Sequence, residues 1–350
     1  MINLKTLPLR AAAALALSFA VLAASVTWNP ASAQAARTPV KITIGVGGFS
    51  FAFLSVLTAD VAKLFAQENL EVTLINTGGG TNTMAALLGG SVELGGVVMS
   101  DAILAATKGQ KVQTVAPLLT QFASDAVISK SAAAKAGITP GMPLLERIKR
   151  LKGMTLAITG RGSGADKMWR YLLELAGMDP DRDVTLTVVR LDQMYAALRA
   201  GQIDGFNASA PSNNRAVQEG LAVWAARPSQ GEVPGLTDFL YTSIAAKPAY
   251  IAANNDTIAR VVRALQKANV LIQDDPVRVA KLLHPVYFSQ TDYGLLEETV
   301  KDQKGGFSKR MTLSVQAFDQ NVKFMTRFGD NVKSVQFADV IEPKFVAALR

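Results

Sequence analysis

The chain has no cysteine and a single histidine. Without cysteine there is no disulfide, no thiolate nucleophile and no zinc–thiolate site. A lipid anchor attached through a cysteine at a cleavage point is excluded as well. The one histidine, His284, stands before Pro285 in a stretch that reads as a polar loop. Nucleophilic catalysis needs a base within hydrogen-bond reach of its nucleophile, and a lone loop histidine does not suggest one. No acidic or histidine cluster has recognised metal-ligand spacing. The sequence therefore predicts no catalytic residue, no metal and no cofactor. The formal net charge is +8, but the basic residues are scattered, with no stripe interleaved with aromatics. That distribution suits a solvated surface and no nucleic-acid partner. Past the amino terminus, no apolar run reaches the roughly 20 residues that span a bilayer.

What is present begins with the first residues. Lys5 and Arg10 precede an uncharged apolar run over residues 11–24, and Ala31-Ser32-Ala33 follows as a small-x-small site. This is the pattern of a secretory signal peptide over residues 1–33, cleaved after Ala33 to leave Gln34 first. The run is short for a membrane anchor and ends at Asn29-Pro30. A soluble protein exported to the periplasm is expected. Roughly 317 residues remain, enough for two lobes around ordinary hydrophobic cores.

The remainder alternates strand and helix. Residues 41–46 read as a strand, followed by a loop rich in Gly and Phe over 47–53 and a helix-periodic stretch through Phe65. Residues 71–75 read as a strand, 77–82 as a turn opening a helix through Leu88, and 92–99 as a strand. The same order returns at 155–159, 160–164, 167–176, 184–189, 194–200 and 203–206. The segment Ala85-Ala86-Leu87-Leu88-Gly89-Gly90-Ser91-Val92-Glu93 aligns with Ala196-Ala197-Leu198-Arg199-Ala200-Gly201-Gln202-Ile203-Asp204. Each reads as a helix end, a glycine stop and an acidic residue entering a buried strand. A unit repeated about 110 residues apart predicts two similar α/β lobes. Glu93 and Asp204 read as turn-fixing residues. Beyond Tyr241 the chain turns helical, with a long helix over 256–273, and this tail should pack on the first lobe.

The run Thr77-Gly78-Gly79-Gly80-Thr81-Asn82 and the segment Leu87 to Glu93 resemble the first lobe of the periplasmic binding proteins for nitrate, taurine, aliphatic sulfonates and thiamine-pyrimidine precursors. Residues 151–156, Gly162-Ser163, 177–184 and 196–204, with Pro211 and Gly220, are similar to that family's second lobe. The resemblance covers residues 40–285. It implies a two-lobed periplasmic binding fold, each lobe a mostly parallel sheet flanked by helices, with two crossings near 121–130 and 241–246. Lobe 1 is expected over residues 40–125 and 245–350, lobe 2 over 126–244. The resemblance also implies a monomer that delivers a small organic anion to the inner-membrane permease of an ATP-driven importer. Eukaryotic relatives that make a thiamine pyrimidine carry a cysteine-rich motif, so that activity does not carry over. Two alternatives stay open: a neutral heteroaromatic ligand such as a thiamine precursor, and a receptor of an ion-driven three-component transporter, which Ser100-Asp101 would suit.

Parallel sheets place ligands beyond the carboxyl ends of their strands, beside helix starts. The positions expected there are 47–53, 77–81 and 99–101 in the first lobe, and 160–164, 191–193 and 207–211 in the second. From these come the candidate ligand-binding residues. Ser50, Thr81, Ser100 and Ser163 offer hydroxyls beside helix-start N–H groups that attract anions. Asn82, Gln121 and Asn207 offer amides. Arg161 offers a guanidinium fork, and Phe49 and Phe51 offer apolar walls.

Overall fold

The computed structural model describes residues 38–236, 239–329 and 331–349. The expected signal peptide and its cleavage point lie outside them. Ten strands form two five-stranded sheets: β1 (Val40–Val46), β2 (Leu70–Asn76), β3 (Leu94–Val98), β4 (Gln113–Leu119), β5 (Asp125–Ser129), β6 (Thr155–Ile158), β7 (Thr185–Val188), β8 (Gly205–Ala208), β9 (Ala222–Ala226) and β10 (Thr242–Ala246). The first sheet has the order β2-β1-β3-β10-β4 and the second β7-β6-β8-β5-β9. In the first, β1 runs parallel to β2 and β3, while β10 runs antiparallel to β3 and β4. The second repeats this plan, with β6 parallel to β7 and β8, and β5 antiparallel to β8 and β9.

The sequence repeat lies at equivalent places in the two sheets. The helices Gly80–Gly89 and Met194–Arg199 both end at a glycine in the left-handed region, Gly90 (φ 80°) and Gly201 (φ 68°). That conformation is open to glycine without a Cβ clash, so the chain turns directly into the next strand.

Alternation along β1 buries Ile42, Ile44 and Val46 and leaves Lys41 exposed, as expected of a pleated strand with one face on a core. The helix Gly164–Leu175 buries Met168, Trp169, Leu172 and Leu173, and the Trp169 indole donates to the Ala157 carbonyl at 3.2 Å. The long carboxyl-terminal helix is Asn255–Asp274. It packs against the helix Leu54–Val61. Its buried stripe includes Ile258, Val261, Val262, Leu265 and Ile272, each contributing about 1.5–3 kcal/mol on burial. Asn269 anchors the polar part of the contact. Its Oδ1 accepts from Ser55 Oγ at 2.5 Å and its Nδ2 donates to the Ser308 carbonyl at 2.9 Å.

The chain passes from the first sheet to the second over residues 120–124 and returns over 227–241. The second crossing therefore precedes the expected 241–246: Thr242–Ala246 is β10, an inserted strand of the first sheet. Its run TSIAA is short and only partly β-branched, so its local pattern is weak. His284 also differs from expectation. It lies in the last turn of the helix Pro276–Tyr287, with Pro285 inside the helix, and its Nε2 is 3.0 Å from the Thr291 carbonyl. Among the described residues no helix is long and apolar enough to cross a membrane, and no group of three or more acidic or histidine side chains is placed to hold a metal ion.

Candidate functional site

The carboxyl ends of both sheets face one another across a cleft, and the lobes touch there. Phe51 N donates to the Ala210 carbonyl at 2.7 Å, and Leu191 N donates to the Gly78 carbonyl at 3.1 Å. A Cβ on Gly79 would lie 2.9 Å from Thr159 Cβ, and one on Gly48 would lie 2.6 Å from Leu191 Cδ2. Glycines at the rim therefore let the two backbones meet, and the cleft is in a closed arrangement.

Inside it lies a cavity of about 60 Å³. Its wall is built from the loop after β1 (Gly47, Ser50), the start of the helix Gly80–Gly89, and Asp101 beyond β3. From the other side come Gly164 and Ala165 at the helix start that follows β6, Asn207 near the end of β8 and Ser209 just beyond it, and Ser124 and Tyr241 on the crossings. Asn207 is fully engaged: Oδ1 accepts from Ser124 Oγ at 2.8 Å, and Nδ2 donates to the Ala165 carbonyl at 2.9 Å. Ser50 Oγ and Ser209 Oγ are buried without a hydrogen-bond partner. A buried hydroxyl left unpaired costs about 1–3 kcal/mol, so two of them on one cavity wall favour a ligand that pairs with both.

Asp101 and Lys167 join the lobes through a buried ion pair. Lys167 Nζ lies 3.4 Å from Asp101 Oδ1 and 3.5 Å from the Ser100 carbonyl, with the side chains 2% and 7% exposed. Burial pushes the Asp101 carboxyl up, while Lys167 draws it back down. The same burial pushes the Lys167 ammonium down, opposed by Asp101. Asp101 Oδ2 has no partner. Removing one member of such a pair typically costs about 3–5 kcal/mol, because the other charge stays buried.

Of the residues expected to bind ligand, Ser50 and Asn207 line the cavity between the lobes. Thr81 and Arg161 lie in an adjoining outer groove of about 240 Å³. There Arg161 is exposed and donates to the Leu186 carbonyl at 3.3 Å, near Asp166 and Asp181. Phe49 packs on Tyr287 with the rings tilted by 59° and centroids 4.8 Å apart, and Phe51 is fully buried against Phe288. Asn82 is exposed and donates to the Thr77 carbonyl. Ser163 caps the helix Gly164–Leu175 by accepting from Asp166 N at 3.3 Å. Ser100 is buried with its hydroxyl unpaired. Gln121 donates to the Ser229 carbonyl, which ties the two crossings together. Asp125 strengthens that tie by accepting from Ser229 N at 3.0 Å and Ser229 Oγ at 2.6 Å.

Asp101 and Ser209 fall inside segments the strand-end rule marked. Ser124, Tyr241 and Lys167 do not. A lysine near the start of an amphipathic helix is exposed by default, so nothing local marks Lys167 as a cleft residue.

Two similar sheets, each with a strand from across a double crossing, closing on a cavity at their strand ends, define a two-lobed periplasmic binding fold. The chain belongs to the NMT1-like family, whose pattern matches residues 35–282. It is 21% identical over 324 residues to YtlA of Bacillus subtilis (strain 168), covering 89% of this chain and 90% of that one. It covers only 14–21% of the length of the longer importer ATP-binding proteins that it also matches. Among solved structures, the alkanesulfonate-binding protein SsuA from Xanthomonas axonopodis pv. citri, bound to MOPS, superimposes with a TM-score of 0.68 at 22% identity, over 83% of this chain and 92% of that one. The periplasmic nitrate-binding protein NrtA from Synechocystis PCC 6803 also gives 0.68, at 15% identity over 88% and 87%.

Proposed function

We propose that this protein captures a small oxyanion between its lobes and delivers it to the membrane permease of an ABC-type importer, as a monomeric binder and not as an enzyme. The observation that carries this reading is the cavity between the lobes, whose wall comes from both and holds two buried, unpaired serine hydroxyls. Its volume of about 60 Å³ suits on the order of four waters, or an anionic head of similar size. Backbone N–H groups at the starts of the helices Gly80–Gly89 and Gly164–Leu175 favour negative charge. The names of the relatives, which include nitrate- and sulfonate-binding proteins and importer ATPases, support the same class of ligand and partner. The amino-terminal pattern supports a periplasmic location.

A thermal-shift screen tests the reading, since a ligand that binds only the folded state raises the melting temperature. Nitrate, methanesulfonate, short carboxylates and an aminopyrimidine make a sufficient panel. Stabilisation by an oxyanion is expected. Stabilisation by the aminopyrimidine alone would replace the oxyanion with a neutral heteroaromatic ligand.

A further inference from the structure

Among the described residues the one charged side chain that lines the cavity between the lobes is an acid, Asp101. Its unpaired Oδ2 sits where a Cβ on Gly80 would meet it at 2.5 Å. That is the start of the helix Gly80–Gly89, the place where an enclosed anion gains most from free backbone N–H groups. Asp101 therefore holds a position that an oxyanion would compete for. Lys167 balances Asp101 alone and leaves nothing for a second negative charge. An anion enclosed beside the ionised pair would leave the group with one excess negative charge, and unbalanced charge is expensive away from water. One proton removes that cost. On Asp101 it also converts an acceptor into an O–H donor aimed at the ligand.

We infer that Asp101 is the specificity-determining residue of the cleft and takes up a proton as the lobes close, so that the protein binds its anion and a proton together. This rests on the oxyanion reading above. The other charged or titratable groups around the pair do not provide the balance. Lys108, at the end of the helix that carries Asp101, and Arg161, across the outer groove, are exposed. Arg161 already faces Asp166 and Asp181. Asp166, beside Lys167, accepts from Gly162 N and Arg170 Nε. Tyr241, from the second crossing, is held neutral by burial, which pushes its hydroxyl up.

The sign follows from linkage. In an open, hydrated cleft Asp101 titrates in the ordinary carboxylate range, and burial in the closed cleft pushes it above that range. Between those values each bound anion brings a proton. Its affinity therefore falls by up to about tenfold per unit rise in pH, whereas a neutral ligand shows no such slope.

Titration calorimetry of the protein with sodium nitrate and with methanesulfonate, in two buffers of different ionisation enthalpy, counts the protons. The expected result is net proton uptake with each anion bound, and a Kd that rises as pH rises from 5 to 7. Asp101→Asn should bind the same anion with no uptake and equal Kd at both pH values. Binding by the unmodified protein without proton uptake overturns the assignment of Asp101 and leaves the oxyanion reading standing. Failure of both anions to bind at pH 5, where protons are abundant, overturns the oxyanion reading and the assignment with it.

Discussion

Glu93 and Asp204 do the same work in the two sheets. Glu93 Oε2 accepts from Thr43 N at 2.7 Å, and Asp204 Oδ2 accepts from Thr155 N at 2.8 Å, each clasping the central parallel strand of its sheet. Both follow the glycine stop of the repeated unit. A hydrogen bond to a charged group is worth about 1.5–3 kcal/mol. Glu93→Ala and Asp204→Ala should each lower unfolding free energy by about that much and leave ligand affinity unchanged. Urea unfolding and calorimetry on the same preparations check both halves.

Ser50→Ala and Ser209→Ala should weaken binding of the stabilising ligand by about tenfold each, since about 1.4 kcal/mol is a factor of ten and each hydroxyl faces the cavity unpaired. Ser163→Ala should act differently. As a helix cap it should cost about 1 kcal/mol of stability. Equal affinity for both Ser50 and Ser209 variants would move the ligand out of the cavity.

Asp125 gives the hinge a pH dependence of known sign. Burial pushes its carboxyl up, against hydrogen bonds from the Ser229 hydroxyl and N–H that pull it down. A raised acid keeps its proton to higher pH in the folded state than in the unfolded chain. Its stabilising contribution is therefore full below the unfolded value near 4 and is lost as pH rises through the folded one. Asp125→Asn removes that slope. Chemical unfolding of both forms should show the unmodified protein gaining on the variant as pH falls from 7 towards 4.

Export should remove residues 1–33, because the small-x-small site follows the apolar run. Mass spectrometry of the periplasmic fraction should give a chain beginning at Gln34. A chain still carrying Met1 in the membrane fraction would contradict it.

Much of the fold was legible because two signals agreed: the strand–helix alternation and the near-identical repeat over 85–93 and 196–204. The parallel strands β1, β2, β3, β6, β7 and β8 were all readable from these. The strands that run the other way were not. β5 and β10 are interior strands of their sheets through pairings with residues distant in sequence, and no local pattern announces that. The cavity was half legible for a related reason. Ser50 and Asn207 lie at strand ends, where topology alone predicts ligands. Arg161 follows a strand too, but an exposed long side chain finds local acids first. The partnership of Asp101 with Lys167 depends on closure of the lobes, which sequence spacing does not encode.

β10 has a consequence for the order of assembly. It lies between β3 and β4, yet emerges only after every strand of the second lobe. Until it arrives, β4 has no partner in its own sheet, and β3 presents an open edge of the kind that invites foreign pairing. The second lobe suffers no such delay, because β5 to β9 form one unbroken stretch. A chain threaded through a translocase amino end first would therefore finish its later lobe before its earlier one.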